Sequence, residues 1–319
     1  MSMKLKALLG IMAIGVSLTA MAGAAAAGDP ETCKKVRFSD VGWTDIQATT
    51  GVANVLLQAL GYEPEVQVLS VPVTYQSLKN KDIDIFLGNW MPSMAGDVKP
   101  FIDDGSVESI SQNLEGAGYG LVVPTYVADA GVKSLKDIGT NKDKFDSKIY
   151  GIEPGNDGNR LVMDMIEKNT FGLKDLEVVE SSEQGMLAQA QRAMAKKQWI
   201  VFLGWAPHPV MAKMPITYLT GWDSLGFGAS QIHPLTRVGY TSECPNLGKL
   251  LTNLKFTIPM ESEIMDAIST NKDKDGDRAA TAWLKANPAV LDSWLAGVTT
   301  FDGQDGAAAV KKSLGITGG

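Results

Sequence analysis

Histidine and cysteine are scarce in this chain of 319 residues, which has two of each. His208 and His233 each precede a proline, and neither has an evident nucleophile nearby in the sequence. There is no G-x-S-x-G elbow, no H-E-x-x-H metal helix and no cysteine paired with a histidine, so the common hydrolase signatures are absent. The turn-forming stretch 153–159 (Glu-Pro-Gly-Asn-Asp-Gly-Asn) lacks the lysine followed by Ser or Thr that a phosphate loop needs. Asn271-x-Asp273-x-Asp275-Gly276 opens like a calcium loop, but its twelfth position is Ala282 where a bidentate glutamate is required, so a polar turn between helices is expected. Asp82 and Asp84 share a strand face, which alone is no acid–base pair. Basic residues are outnumbered, 29 against 36 acidic, for a net charge of −7. Such a surface does not suit nucleic acid, whose phosphates demand basic patches. No stretch after the N-terminal region has the length and apolarity of a membrane span.

Several features are present in their place. Lys4 and Lys6, an apolar run over 8–21 and the small residues Ala25-Ala26-Ala27 read as a secretory signal, with the mature chain starting near Gly28. No cysteine stands at the cleavage point, which argues against a lipid anchor. Export to a periplasm-like compartment is the expectation. In that oxidising setting Cys33 and Cys244 are most simply a disulfide, with two free buried thiols as the competing reading. A bridge would bring the mature N-terminus beside the last quarter of the chain. One lobe would then be built from both ends and the other from the middle. The boundaries expected are 28–118 with 220–319 for lobe 1, and 119–219 for lobe 2.

Strand and helix patterns alternate. Strands are expected over 35–39, 65–71, 84–87, 119–123, 148–152, 176–180, 199–203 and 216–219. Helices are expected over 47–60, 74–79, 160–168 and 184–197, followed by a mostly helical tail (246–254, 262–269, 279–285 and 290–296). The alternation predicts an α/β fold with largely parallel sheets.

The most informative stretch is 199–209, Trp-Ile-Val-Phe-Leu-Gly-Trp-Ala-Pro-His-Pro. It reads as a buried strand, a turn at Gly204 and a tryptophan, Trp205, at the strand end, with Pro207 suited to the first turn of a helix. Residues 85–92 repeat the scheme, Phe-Leu-Gly leading to Trp90 and Pro92. Aromatics at the carboxyl ends of strands in an α/β sheet face the ligand crevice. The seven tryptophans differ in role. Trp283 and Trp294 share helical spacing with Leu284, Leu291 and Leu295 and belong to a core. Trp199 and Trp222 read as structural. Trp43, Trp90 and Trp205 each follow a strand and a glycine or Gly-Asn, and that repetition points to a site. Asp45 has two readings: Thr44-x-x-Gln47 resembles a capping box that would place it in a first helical turn, and its carboxylate beside Trp43 is also placed to meet a cation or hydroxyl. Asn156 likewise fits either a helix start or a neutral hydrogen-bonding group in the crevice.

Several tryptophans with one carboxylate favour a quaternary ammonium, because indole faces are the best cation–π partners and such a cation has no N–H to lose. At about 0.5 to 2 kcal/mol per ring, three or four rings approach the ~8 kcal/mol of a micromolar complex. A sugar site is the rival, but it usually needs more polar partners. The segments Gly42-Trp43-Thr44-Asp45, Phe86-Leu-Gly-Asn-Trp-Met-Pro, Phe202-Leu-Gly-Trp-Ala-Pro-His-Pro and Ala282-Trp-Leu-Lys-Ala-Asn-Pro, spread over the mature chain, resemble the quaternary-amine solute-binding proteins of ABC importers. Those proteins take glycine betaine, carnitine, proline betaine or choline.

The resemblance implies a two-lobed, monomeric periplasmic binding protein, with no cofactor or metal, that works with a membrane permease and an ATPase. It also implies an aromatic box of Trp43 and Trp90 from one lobe and Tyr119 and Trp205 from the other, with Asp45 and Asn156 at the hydroxyl end of choline. Betaine's carboxylate would be repelled by Asp45, whereas choline's hydroxyl can donate to it. Acetylcholine keeps the cation but lacks the donor. Glycine betaine, acetylcholine or another quaternary amine is the alternative ligand. An exported enzyme acting on a choline ester, or a sensory adaptor, is the alternative of another class. His208 is expected to be structural, near the rim.

Overall fold

The computed structural model describes residues 28–222, 224–271 and 276–316. The signal-like segment 1–27 and the calcium-loop-like residues 272–275 lie outside them. The chain first lays down β1 (Lys35–Asp40), α1 (Thr44–Ala59), β2 (Glu63–Val68), α2 (Val71–Asn80), β3 (Ile85–Phe86) and β4 (Trp90–Met91). Next come α3 (Ala95–Asp103), β5 (Val107–Ser109) and the long crossing strand β6 (Leu114–Pro124). The middle of the chain holds α4 (Thr125–Asp129), α5 (Leu135–Thr140), β7 (Lys148–Tyr150), α6 (Asp157–Glu167), β8 (Glu177–Val179), α7 (Glu183–Ala195), β9 (Phe202–Ala206), α8 (Pro209–Ala212) and β10 (Ile216–Tyr218). The return is made by β11 (Gly228–Ile232) and β12 (Leu235–Arg237). The tail is helical: α9 (Tyr240–Glu243), α10 (Pro245–Asn253), α11 (Ile258–Asn271), α12 (Asp277–Ala286), α13 (Val290–Trp294) and α14 (Gly306–Ser313).

Two sheets result, and β4 and β11, which lie within the stretches expected for lobe 1, join the second of them. The first runs β2-β1-β3-β12-β5, and the second β4-β11-β6-β9-β7-β8 with β10 also on β6. The parallel pairing expected from strand–helix alternation holds for β1 with β2 and β3, and for β7 with β8 and β9. The remaining pairs are antiparallel, so the sheets are mixed rather than largely parallel. The reason is the connection: β6, β11 and β12 carry the chain between lobes and back, and a returning strand meets its neighbour in the opposite sense. Sequence reasoning did not anticipate β11 and β12. Only Ile232 and Leu235 give them an apolar signal near Pro234 and His233.

Both ends of the chain do meet. Cys33 and Cys244 form a disulfide with a Cα–Cα distance of 5.8 Å across 211 residues of sequence, a closure that chain entropy values at roughly 5 kcal/mol. Asp84 joins the same region, taking Arg37 Nη2 at 2.7 Å and Arg237 Nε at 2.8 Å. That buried ion pair ties β12 to the start of the chain and gives Asp84 a structural role. Trp283 and Trp294 stack at 6.1 Å in the core of the tail. Among the described residues, no helix is long and apolar enough to cross a membrane.

Three local expectations need correction. The strand expected over 199–203 is displaced to β9, Phe202–Ala206, and runs through Gly204 instead of turning there. Gly204 lies opposite Gly120, and a Cβ on it would stand 2.6 Å from Val122 Cγ1; its glycine serves close strand approach. Pro209, not Pro207, takes the first helical position, with His208 as the N-cap of α8. Finally, α1 begins at Thr44 with Trp43 as its N-cap and has no side-chain cap of its own, so the capping box does not form.

Candidate ligand-binding site

The six residues singled out by sequence converge on one cavity, lined by Trp43, Asp45, Trp90, Tyr119, Ile152, Asn156, Asp157 and Trp205. Each arrives by a nameable route. Trp43 closes the β1–α1 turn, and Asp45 sits in the first turn of α1. Trp90 begins β4, which pairs with β11 at the margin of the second sheet. Tyr119 and Trp205 are cross-strand partners in the β6–β9 pair, and such partners share a sheet face. Trp90-Met91-Pro92 and Trp205-Ala206-Pro207 match in backbone as well as sequence, both having a cis bond before the proline.

None of the rings stack flat: Trp90 is tilted against Tyr119 at 6.0 Å, and Tyr119 meets Trp205 edge to face at 6.2 Å. This leaves aromatic faces for an occupant. Phe227 backs Tyr119 at 5.2 Å from behind. The Tyr119 hydroxyl donates to Asn156 Oδ1 at 3.1 Å and packs on Gly158, where a Cβ would come within 2.0 Å of it.

Asp45 and Asn156 have different spare capacity. Asp45 accepts from Trp90 Nε1 at Oδ2, 3.0 Å, while Oδ1 is buried with no partner among the described residues. An unpaired carboxylate oxygen in a dry site marks a place for a donor. Asn156 caps α6, and its Oδ1 takes Gly158 N–H at 2.8 Å and Asn159 N–H at 3.2 Å besides Tyr119. The helix-start reading of Asn156 is the one these bonds bear out. Its carbonyl belongs to the helix start, and its amide nitrogen, at the cavity wall, donates to Asp157 Oδ1 at 3.1 Å.

Burial raises the carboxyl groups here. Asp45 is pushed up to about 7, by burial first and then by the charge of Glu183. Glu153 also rises to about 7 and Asp157 to about 6, each chiefly by burial. Asp157 and Ile152 were missed from sequence; Asp157 adjoins Asn156 in the same turn, which was the available signal. Glu153, from that turn, accepts Trp43 Nε1 at 2.9 Å and fixes the indole across the cleft. His208 is buried behind Trp205, with ring centres 5.2 Å apart, and does not lie at the rim. Trp199 and Trp222 stay out of the cavity, packing on Phe145 and Phe227. No cluster of metal-binding side chains occurs among the described residues.

Residues 34–286 match the model of the substrate binding domain of ABC-type glycine betaine transport systems. The chain belongs to that family. Among solved structures, it is 58% identical to an ABC-transporter choline binding protein in complex with choline, covering 90% of this chain and 100% of the other, with a TM-score of 0.88. An ABC-transporter choline binding protein in an unliganded semi-closed conformation is 59% identical, covers 89% of this chain and 100% of the other, and gives a TM-score of 0.81. Lactococcal OpuAC, closed on glycine betaine, is 27% identical over 82% of this chain and 99% of its own, with a TM-score of 0.72. The family's two-lobed design is therefore the fold described above, and the chain serves as the solute-binding part of an ABC importer.

Proposed function

We propose that this substrate-binding domain captures choline, using Trp43, Trp90, Tyr119 and Trp205 as the cation box and Asp45 and Asn156 at the hydroxyl end. The observation that carries this reading is the buried, unpartnered Oδ1 of Asp45 in an aromatic cavity. Choline's hydroxyl donates to that oxygen and accepts from the Asn156 amide. Its trimethylammonium group lies against ring faces, each worth about 0.5–2 kcal/mol. The cavity is small and walled by four aromatic side chains, which favours a small solute over an oligosaccharide. Glycine betaine shares the cation but ends in a carboxylate, which Asp45 and Asp157 oppose. The 58% identity to a choline-bound binding protein supports the same choice.

Closure of the two lobes on the cation would shift the population to a form that docks on the permease, with ATP hydrolysed by the transporter's own ATPase. The assigned boundaries are lobe 1 over 28–118 with 220–319 and lobe 2 over 119–219. We assign no catalysis to the chain: the cavity lining has no serine, cysteine or histidine to attack an ester. The disulfide suits an exported protein, in keeping with a signal removed near Ala27.

Calorimetric titration with choline, glycine betaine, acetylcholine and a sugar panel tests the assignment. Choline is expected to bind tightest. Betaine binding equally or better would sink the role given to Asp45, and repeated turnover of a choline ester would overturn the transport reading.

A further inference from the structure

A second buried carboxylate, outside the cavity lining, links the two lobes. Glu183 opens α7 on the second lobe and is 2% exposed. Its Oε2 accepts the backbone N–H of Thr44 at 3.0 Å, and its Oε1 accepts the Thr44 hydroxyl. Thr44 is the first residue of α1 on the first lobe, flanked by Trp43 and Asp45. Glu183 thus supplies the cap that α1 lacks. On its other side, His208 Nε2 lies 3.2 Å from Oε1. His208 Nδ1 accepts Met211 N–H, so in the neutral ring the hydrogen is on Nε2 and is donated to Glu183. The same imidazole packs edge-on against Trp205.

From this geometry we propose that Glu183 is a positioning residue, which acts as the closure latch joining the cavity's Trp43–Asp45 wall to its Trp205 wall. The proposal rests on a choline-class cation being the ligand. When the lobes part, Thr44 and Glu183 separate and return to water. When they close, one carboxylate gathers an N–H, an O–H and a ring N–H in a water-poor place, where charge-assisted bonds are strong. The latch therefore favours the closed form without touching ligand. Apparent affinity scales with the closed-competent fraction, so loss of the latch weakens binding with the lining residues intact.

The test is a double-mutant cycle on the purified protein with Glu183→Gln and Thr44→Val. Choline dissociation constants and stopped-flow rates are read by tryptophan fluorescence, and ligand-free melting temperatures are read alongside. Glu183→Gln is expected to raise the dissociation constant by about 10- to 100-fold, the range of bonds to charged groups, mainly through faster dissociation. Thr44→Val should weaken binding similarly, and the double variant should be little worse than either alone, while the ligand-free melting temperature barely moves. Unchanged affinity in Glu183→Gln, multiplicative effects of the two substitutions, or a loss of affinity that only follows a lowered melting temperature would overturn the latch. Failure of the wild type to take choline refutes the ligand assignment alone. The latch is then judged by small-angle scattering of ligand-free protein, where Glu183→Gln is expected to have the larger radius of gyration and an unchanged radius overturns it.

Discussion

The Trp90 indole N–H donates to Asp45 Oδ2 at 3.0 Å and leaves Oδ1 buried and unpaired. One wall of the cavity thus orients the carboxylate proposed to meet choline's hydroxyl. Asp45→Asn keeps the shape and removes the charge. It is expected to weaken choline by about 10- to 100-fold, the range of a charge-assisted bond, and acetylcholine by less, because the ester has no hydroxyl donor. Calorimetry on both ligands checks the difference, and equal losses would contradict the role of Oδ1.

Acidification should release the ligand. Asp45 is raised to about 7 from an ordinary 3.8, chiefly by burial, so the ligand-free carboxyl gains a proton as pH falls through that value. Choline needs the ionised form. Its affinity is therefore expected to be highest above about pH 7 and to fall toward tenfold per unit below about 6. Binding near neutrality should also release protons, measurable by repeating the titration in buffers of different ionisation enthalpy. Asp45→Asn should flatten the profile, and affinity that improves in acid would refute the argument.

The same shifts act on the empty protein in the opposite sense. Asp45, Glu153 and Asp157 all have folded values above their ordinary ones, so the folded state holds their protons more tightly than the unfolded chain. Their contribution favours folding at low pH and diminishes as pH rises from about 4 through 7. Thermal melts from pH 5 to 8 should show the benefit of choline growing with pH while the contribution of these groups to ligand-free stability declines. The Asp45→Asn, Glu153→Gln and Asp157→Asn variants should each reduce the pH slope of the ligand-free melt.

Tryptophans of similar burial should separate by function. Trp90→Ala and Trp205→Ala remove ring faces from the cavity and should weaken choline strongly, by tenfold or more given ring contributions of up to about 2 kcal/mol. Trp294→Ala removes the partner stacked on Trp283 and should lower stability by about 3–5 kcal/mol, with choline affinity retained in the folded fraction. Denaturant melts and titrations on all three variants provide the comparison.

Gly158→Ala tests the floor beneath Tyr119. The added methyl would begin 2.0 Å from the tyrosine hydroxyl, forcing the ring or the start of α6 to move. Choline binding is expected to fall by about an order of magnitude, a displacement of some 1.4 kcal/mol. Tyr119→Phe combined with Gly158→Ala should recover part of that loss, and no recovery would mean the obstruction lies elsewhere.

Much of the cavity was legible because its residues stand in repeated contexts. Trp90 and Trp205 share a Trp-x-Pro pattern after apolar runs, and Asn156 sits in a turn rich in Gly, Asn and Asp. Cys33 and Cys244 had no other cysteine to pair with. What escaped was long-range. Whether Thr44 uses Gln47 or Glu183 as its hydrogen-bond partner is decided by an approach across 139 residues of sequence, which no local pattern records. The strands β11 and β12 escaped because they are short and gain their stability from β6, β3 and β5. Gly204 was misread for a related reason: a glycine between Leu203 and Trp205 signals a turn locally, and only the proximity of Val122 explains it within a strand.

The late arrival of β12 also bears on how the molecule assembles after leaving the cytoplasm. It fills the gap between β3 and β5, so the first sheet stays split until almost three quarters of the chain is available. Strands β6 to β10 have no such wait, since they follow one another in sequence and pair among themselves. The β6–β10 part of the second sheet can therefore organise while β4 still waits for β11 and the first sheet for β12, the arrangement that exposes a chain to aggregation during slow non-local pairing. Cys244 follows β12 in the chain, so the native Cys33–Cys244 bridge can close only after that strand has been made. Enzymes that form disulfides thus have a bearing on the yield of this protein, in addition to its stability once folded.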